Sequence, residues 1–178
     1  MEKSFIFAGF GGQGVIFAGK LLAQAGADHG LQVTWLPSYG PEMRGGTANC
    51  TVVLSDEPIG SPVVDNPTAL VAMNLPSLDR FENTVAEGGA IVVNSSLITR
   101  PTGRNDVRAL TVQANDIAVS LGNSHAANMV ALGAIIKATG IVSLELIKGT
   151  MARMLSHKNS AKLIAVNEQA LDAGYNAV

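Results

Sequence analysis

The sequence predicts an α/β fold: an open, mostly parallel sheet with helices on both faces and a helical C-terminal third. Three observations predict it. A short, continuously apolar run, Ser4–Ala8, leads straight into Gly9-x-Gly11-x-x-Gly14 and then a stretch of helix formers. Strand-like runs and turn or helix signals then alternate as far as Val112. Beyond Ala114 every patterned segment reads as helix.

Each element has its own justification. Ser4–Ala8 lacks alternation, as expected of a strand buried on both faces. Gln13 to about His29 is rich in helix formers, and Gly30 reads as its stop. Leu31–Leu36 (LQVTWL) is a strand of good β-formers, so strand, glycine turn, helix and strand form a βαβ unit with an expected right-handed crossover. Pro37–Gly46 has two prolines and three glycines in ten residues and is expected to be irregular. Thr47–Leu54, Thr68–Met73 and Ala90–Val93 are further strands, and Val107–Val112 is a possible return. A short helix should follow Asn74-Leu75-Pro76 to about Ala86, and Thr99–Asp106 is a polar surface loop. Ala114–Leu121, Ala126–Thr139, Leu144–Leu155 and Ala161–Ala173 are helices, with Ser143 and Asn159 as expected N-caps. The sum is a Rossmann-like arrangement in a single domain, 1–178.

Composition excludes several function classes. Apolar residues make up 47% and charged residues 15%, enough for a full core and too few charges for a disordered chain. The formal charge of −2 and the lack of a Lys/Arg cluster argue against nucleic acid. No apolar stretch nears the roughly 20 residues of a membrane span. Met1-Glu2-Lys3-Ser4 leads directly into a strand rather than a signal peptide, so the cytoplasm is the expected compartment. Cys50 is the single cysteine, which rules out a disulfide framework or a Cys-x-x-Cys metal motif. So few charges also suggest that partners cover much of the surface, with a homodimer or larger species expected when the chain is alone.

Two loops carry the candidate chemistry. Gly9 and Gly11 permit a tight strand-to-helix turn, and Gly14 a close helix–sheet approach, which suits an anion at the helix N-terminus. A dinucleotide site also needs an acid at the end of the second strand, and there the chain reads Trp35-Leu36-Pro37-Ser38. The fingerprint is incomplete, which favours a turn that binds no NAD or FAD and leaves room for another phosphate or carboxylate. Gln13, beside Gly12, is either a solvent-facing helix residue or a polar finger toward a ligand or subunit. In the second loop, Ser38-Tyr39-Gly40-Pro41-Glu42-Met43-Arg44-Gly45-Gly46, Arg44 offers a planar donor fork and Gly45 and Gly46 an exposed backbone. Glu42 pairing with Arg44 is the purely structural alternative, and Tyr39 and Met43 are equally suited to packing. Asn128 reads as a buried amide satisfied by backbone, and His125 as a residue flanking the same helix. No Ser/His/Asp set or carboxylate pair has a catalytic spacing.

"GFGGQGV…AGKLLAQAG" followed by "VTWLPSYGPEMRGGTANCTVVLSDEPIGSP" resembles the gamma subunit, or gamma domain, of 2-oxoacid:ferredoxin oxidoreductases. The resemblance continues through "ALVAMNLPSLDRF", "GGAIVVNSSLI" and "LGNSHAANMVALGAIIKATGIVSLE", nearly the whole chain. It implies a Rossmann-like subunit of a complex that oxidatively decarboxylates a 2-oxoacid with CoA, yielding acyl-CoA, CO₂ and reduced ferredoxin. 2-Oxoglutarate or a branched-chain acid is favoured over pyruvate. The resemblance also implies thiamine diphosphate and Mg²⁺ between alpha and beta subunits, and [4Fe-4S] clusters in beta and in a ferredoxin-like delta subunit or domain. This chain has no Gly-Asp-Gly motif for thiamine diphosphate–Mg²⁺ and too few cysteines for a cluster. No catalytic residue, metal ligand or bound cofactor is therefore expected of it, and it should be inactive alone. Its expected functional edge comprises Gly9, Gly11, Gly12, Gln13, Gly14, Ser38, Tyr39, Glu42, Arg44, Gly45 and Gly46. A free-standing nucleotide-binding enzyme and a non-catalytic assembly protein are the rival readings.

Overall fold

The computed structural model describes residues 1–40, 46–156 and 160–178. Glu42, Arg44, Gly45 and the expected cap Asn159 lie outside the described residues. Six strands run in chain order as β1 (Glu2–Phe10), β2 (Gln32–Tyr39), β3 (Thr47–Ser55), β4 (Ala69–Ala72), β5 (Ala90–Asn94) and β6 (Arg108–Val112). The helices are α1 (Val15–Asp28), α2 (Leu75–Phe81), α3 (Ala114–Ser120), α4 (Ala127–Thr139), α5 (Leu144–Leu155) and α6 (Ala161–Asn176). Short 3₁₀ turns at Glu82–Thr84 and Ser124–Ala126 follow α2 and precede α4.

The sheet order is β2-β3-β1-β4-β5-β6. β1, β4, β5 and β6 pair in parallel, while β3 lies antiparallel between β1 and β2. β1 and β2 therefore point the same way, as a βαβ unit requires, but β3 separates them. The cause is connection length: the few residues from Gly40 to Gly46 allow a hairpin and are too short for the crossover a parallel neighbour needs. Pro37–Tyr39, expected to be irregular, instead extends β2, with Tyr39 opposite Ala48. A proline is tolerated there because β2 is an edge strand.

Helices cover the two faces unequally. Phe5, Phe7, Val71 and Val92 point into the larger core, under α1 and α3–α6. Ile6, Leu70, Ile91 and Val93 point the other way, into a small core closed by Leu78 of α2 together with Val85 and Ile98. Within the thick layer α4 is enclosed, with every residue from Ala127 to Ile136 buried. Small residues make these approaches possible. A Cβ on Gly133 would meet the Leu171 carbonyl of α6, and one on Gly19 of α1 would meet Cys50 Sγ of β3.

Candidate functional site

The glycine turn sits where β1 gives way to α1, at the carboxyl edge of the parallel strands. Gly12 (φ 97°) and Gly14 (φ 75°) adopt left-handed backbone that disfavours any side chain. Gly9 has ordinary strand geometry, but a Cβ there would stand 2.7 Å from Gln13 Oε1 and 3.1 Å from Met73 Cβ. Gly14 is the N-cap of α1 and offers no side-chain cap. The first-turn N–H groups of that helix thus face whatever lies beyond the turn.

The two loops meet directly. Gly11 N–H donates to the Gly46 carbonyl at 2.8 Å, and Gly40 N–H donates to the Thr47 carbonyl at 2.7 Å across the hairpin. Between the turn and β2 lies a cavity of about 480 Å³, walled by Gly12, Gly14, Phe17, Lys20, Trp35 and Tyr39 among others. Lys20 Nζ stands 5.8 Å from the centre of the Trp35 ring, a cation–π distance. Gly11, Gly12, Gly14 and Tyr39 are thus gathered around one space, with Gly46 tied to its rim. Ser38 is not among them, because strand alternation sends its side chain to the face opposite Tyr39.

Gln13 is tied into the fold while lining a small cavity on the far flank of the turn. Its side chain folds back: Oε1 accepts from Phe10 N–H at 2.7 Å and from Asn74 Nδ2 at 3.1 Å, while Nε2 donates to the Met73 carbonyl at 3.2 Å. The pattern continues across the strand ends. Asn94 Nδ2 donates to the same Met73 carbonyl at 3.2 Å and to Asn115 Oδ1 at 2.7 Å, and Asn94 Oδ1 accepts from Ala114 N–H at 3.2 Å. A row of neutral amides therefore laces the carboxyl ends of β1, β4, β5 and β6. On the other side of the turn, Asn128 Nδ2 donates to the Gly14 carbonyl at 3.1 Å and its Oδ1 accepts from Met129 N–H. Asn128 is the buried, backbone-satisfied amide the sequence suggests, and His125 flanks α4 in the 3₁₀ turn.

Beneath the turn, the Cys50 thiol donates to the Val15 carbonyl at 3.4 Å. Burial pushes its pKa up to about 12, against a lesser opposing effect of the Trp35 N–H. It is a packing thiol. Among the described residues no three His, Cys, Asp or Glu side chains gather as metal ligands. Sequence reasoning missed Lys20, Trp35 and the row of asparagines. Trp35 carried a usable signal, since odd-numbered positions of the second strand share the side that faces the helix. Asn74, Asn94 and Asn115 carried none, because only the strand order brings them together.

Comparisons with known proteins show the family. Residues 4–177 match the family described as pyruvate ferredoxin/flavodoxin oxidoreductase. Ketoisovalerate oxidoreductase subunit VorA of Methanothermobacter thermautotrophicus is 45% identical over 167 residues, covering 94% of this chain but 34% of its own length. 2-Oxoglutarate synthase subunit KorC of the same organism is 36% identical over 170 residues, covering 89% of this chain and 90% of its own. The chain thus spans about a third of the VorA relative and nearly all of KorC. Among solved structures, the keto/oxoacid ferredoxin oxidoreductase gamma subunit from Geobacter sulfurreducens superposes with a TM-score of 0.83 at 29% identity, covering 98% of this chain and 97% of that one. The 2-oxoglutarate:ferredoxin oxidoreductase from Magnetococcus marinus, solved with 2-oxoglutarate, coenzyme A and succinyl-CoA bound, gives 0.89 at 25% identity, over 99% of this chain and 31% of that one. The two solved structures share the fold over nearly the whole of this chain, and this chain belongs to the pyruvate ferredoxin/flavodoxin oxidoreductase family as a gamma-type unit of the 2-oxoacid:ferredoxin oxidoreductases.

Proposed function

We propose that this chain is the gamma unit of a cytoplasmic 2-oxoacid:ferredoxin oxidoreductase and that its glycine-turn face receives part of coenzyme A. The observation that carries the reading is the cavity between the turn and β2. It combines an uncapped helix N-terminus, the Lys20 cation and aromatic walls that include Trp35 and Tyr39, and so suits a phosphate joined to a flat or alkyl body. The reaction decarboxylates a 2-oxoacid, passes two electrons to ferredoxin and delivers the acyl group to the CoA sulfur. 2-Oxoglutarate and branched-chain acids are favoured over pyruvate, in keeping with the names of the KorC and VorA relatives.

Thiamine diphosphate, Mg²⁺ and the iron–sulfur clusters do not fit this chain: one cysteine cannot supply four thiolates, and the amide row offers no carboxylates for a metal. We assign them to alpha, beta and delta partners and derive no step through them. What this chain contributes is binding and orientation. Lys20 and the turn backbone hold anionic charge, while Trp35 and Tyr39 shield the body of the ligand from water. Arg44, Glu42 and Gly45 belong to the same loop in sequence, and Arg44 is the proposed second cation, acting through its fork.

The test is a complex reconstituted with partner chains and assayed across CoA concentrations on a panel of 2-oxoacids. Lys20→Ala and Arg44→Ala should each raise the KM for CoA about tenfold, equivalent to about 1.4 kcal/mol, and leave the KM for the 2-oxoacid unchanged. Arg44→Lys should be impaired as well. Wild-type CoA dependence in both alanine variants, with assembly intact, overturns the reading.

A further inference from the structure

On the opposite flank of the glycine turn lies a second, smaller cavity of about 80 Å³, lined by Gly12, Gln13, Met73, Asn115, Ser124 and His125, with Ala127 completing it. Three of the acceptors in its walls are already engaged. Both lone pairs of the Met73 carbonyl are taken, by Gln13 Nε2 and Asn94 Nδ2. Gln13 Oε1 is occupied twice over, by Phe10 N–H and Asn74 Nδ2. Asn115 Oδ1 accepts from Asn94 Nδ2 at 2.7 Å. Several donors remain. An Asn115 amide carries two N–H groups and uses neither on a described residue, and Gln13 Nε2 keeps a second proton beyond its bond to Met73. The Ser124 hydroxyl and the His125 imidazole make no side-chain hydrogen bond with any described residue, and both can donate. No carboxylate lines the space, and the adjacent Asp116 is turned away, bonded to Ser96 Oγ at 2.9 Å.

We propose that this cavity is a binding site for an oxyanion of carboxylate or phosphate size, held by Asn115, Ser124, His125 and the Gly12 backbone. Asn115 and Gln13 bring N–H groups whose own amide oxygens are already engaged, Ser124 and His125 can donate beside them, and no carboxylate opposes them, which favours an anion over a cation. The volume admits one such group, not a nucleotide. The site is separate from the larger cavity: the two share the turn at Gly12, but Lys20, Trp35 and Tyr39 line only the other side. The inference therefore stands whether or not coenzyme A occupies that side. A terminal carboxylate of a small acid and a phosphate group of a cofactor share the required chemistry, and the experiment separates them.

The full isotope-labelled chain would be titrated with inorganic phosphate in one arm and acetate in the other, at fixed ionic strength, following backbone and imidazole resonances. The expected result is saturable shifts at Gly12, Ser124, His125 and Ala127 with one common dissociation constant, in the phosphate arm, the acetate arm or both. The arm that binds more tightly identifies the group. His29, exposed at the far end of α1, is the internal control and should not move. His125→Gln and Ser124→Ala should each weaken binding at least about fivefold, while spectra away from the cavity overlay those of the wild type. If His125→Gln disturbs the fold, Ser124→Ala carries the test. Linear, unsaturable shifts in both arms, shifts confined to Ile16, Phe17 and Lys20, or an unchanged dissociation constant in the well-folded variants would each overturn the proposal.

Discussion

Replacing Gln13 by alanine tests whether its side chain braces the glycine turn or merely occupies it. Three hydrogen bonds disappear: two accepted at Oε1 from Phe10 N–H and Asn74 Nδ2, and one donated to the Met73 carbonyl. They are not equally costly. Phe10 N–H is exposed and finds water, and Met73 keeps its bond from Asn94. Asn74, however, is 3% exposed and makes no other side-chain donor bond with a described residue, so its amide is left dry. An unsatisfied buried donor costs about 1–3 kcal/mol and each ordinary lost bond about 1 kcal/mol, which puts the variant about 2–3 kcal/mol below the wild type. Gln13→Glu separates the roles, because a carboxylate keeps both accepting positions and turns an oxygen toward the Met73 carbonyl. It should lose about 1–2 kcal/mol, between wild type and alanine. Urea unfolding monitored by Trp35 fluorescence measures both. A loss under about 0.5 kcal/mol in Gln13→Ala, at unchanged m-value, would refute the brace and return Gln13 to a free side chain at the edge.

Two further outcomes follow from the charged and sulfur groups. The buried Glu82 carboxyl is held below its ordinary value, chiefly by Arg100 and then by Gly103 N–H and Thr102, so its contribution is fully present above the unfolded value near 4.5 and is lost as the pH falls through the lowered folded value. Glu82→Gln should cost roughly 2 kcal/mol at pH 7 and flatten the acid limb of a stability–pH curve, and an acid limb as steep as the wild type's would contradict this. With its pKa pushed up to about 12 and no exposure, Cys50 should resist thiol reagents at pH 8 in the folded chain and react fully in urea, and rapid native-state labelling would count against the packing described.

The legibility of the fold varied with the range of the interaction that decides it. β1, α1 and the helical C-terminal third rest on local signals, and they lie close to where the patterns of Ser4–Ala8, Gln13–His29 and residues beyond 114 put them. The orientation of β3 follows from the short stretch between β2 and β3, which permits a hairpin and no crossover, whereas its place beside β1 rests on a choice among sheet neighbours that no local pattern in Thr47–Leu54 records. Pro37 misled because its cost depends on being at an edge or a centre, which is a tertiary fact. At the site, Gly12 and Gly14 were legible because backbone handedness restricts residue type at the position itself. Gln13 was half legible: an amide at that position is informative, but the direction it faces depends on Met73 and Asn74, sixty residues on.

That division also explains what holds the candidate site. Along the carboxyl edge, Gln13, Asn74, Asn94, Asn115 and Asn128 are all neutral at any pH the protein will meet, and they bond to backbone or to one another. Among the described residues the ion pairs lie elsewhere, among them Arg100 with Asp79 and Glu82, Arg104 with Asp106, Arg153 with Asp28, and Lys148 with Asp172. Those pairs join loop to helix, helix to helix or one loop to itself, and the Glu82 and Asp106 carboxyls that hold the Thr99–Asp106 loop are kept below their ordinary values by Arg100 and Arg104. Acid should therefore loosen the Thr99–Asp106 loop before it disturbs the strand ends. An edge built from amides carries spare N–H groups without fixed charge of its own, so the sign of a ligand bound there would be set by donor count rather than by net charge. For a chain with a formal charge of −2, such an edge would meet the proposed anion without a basic patch.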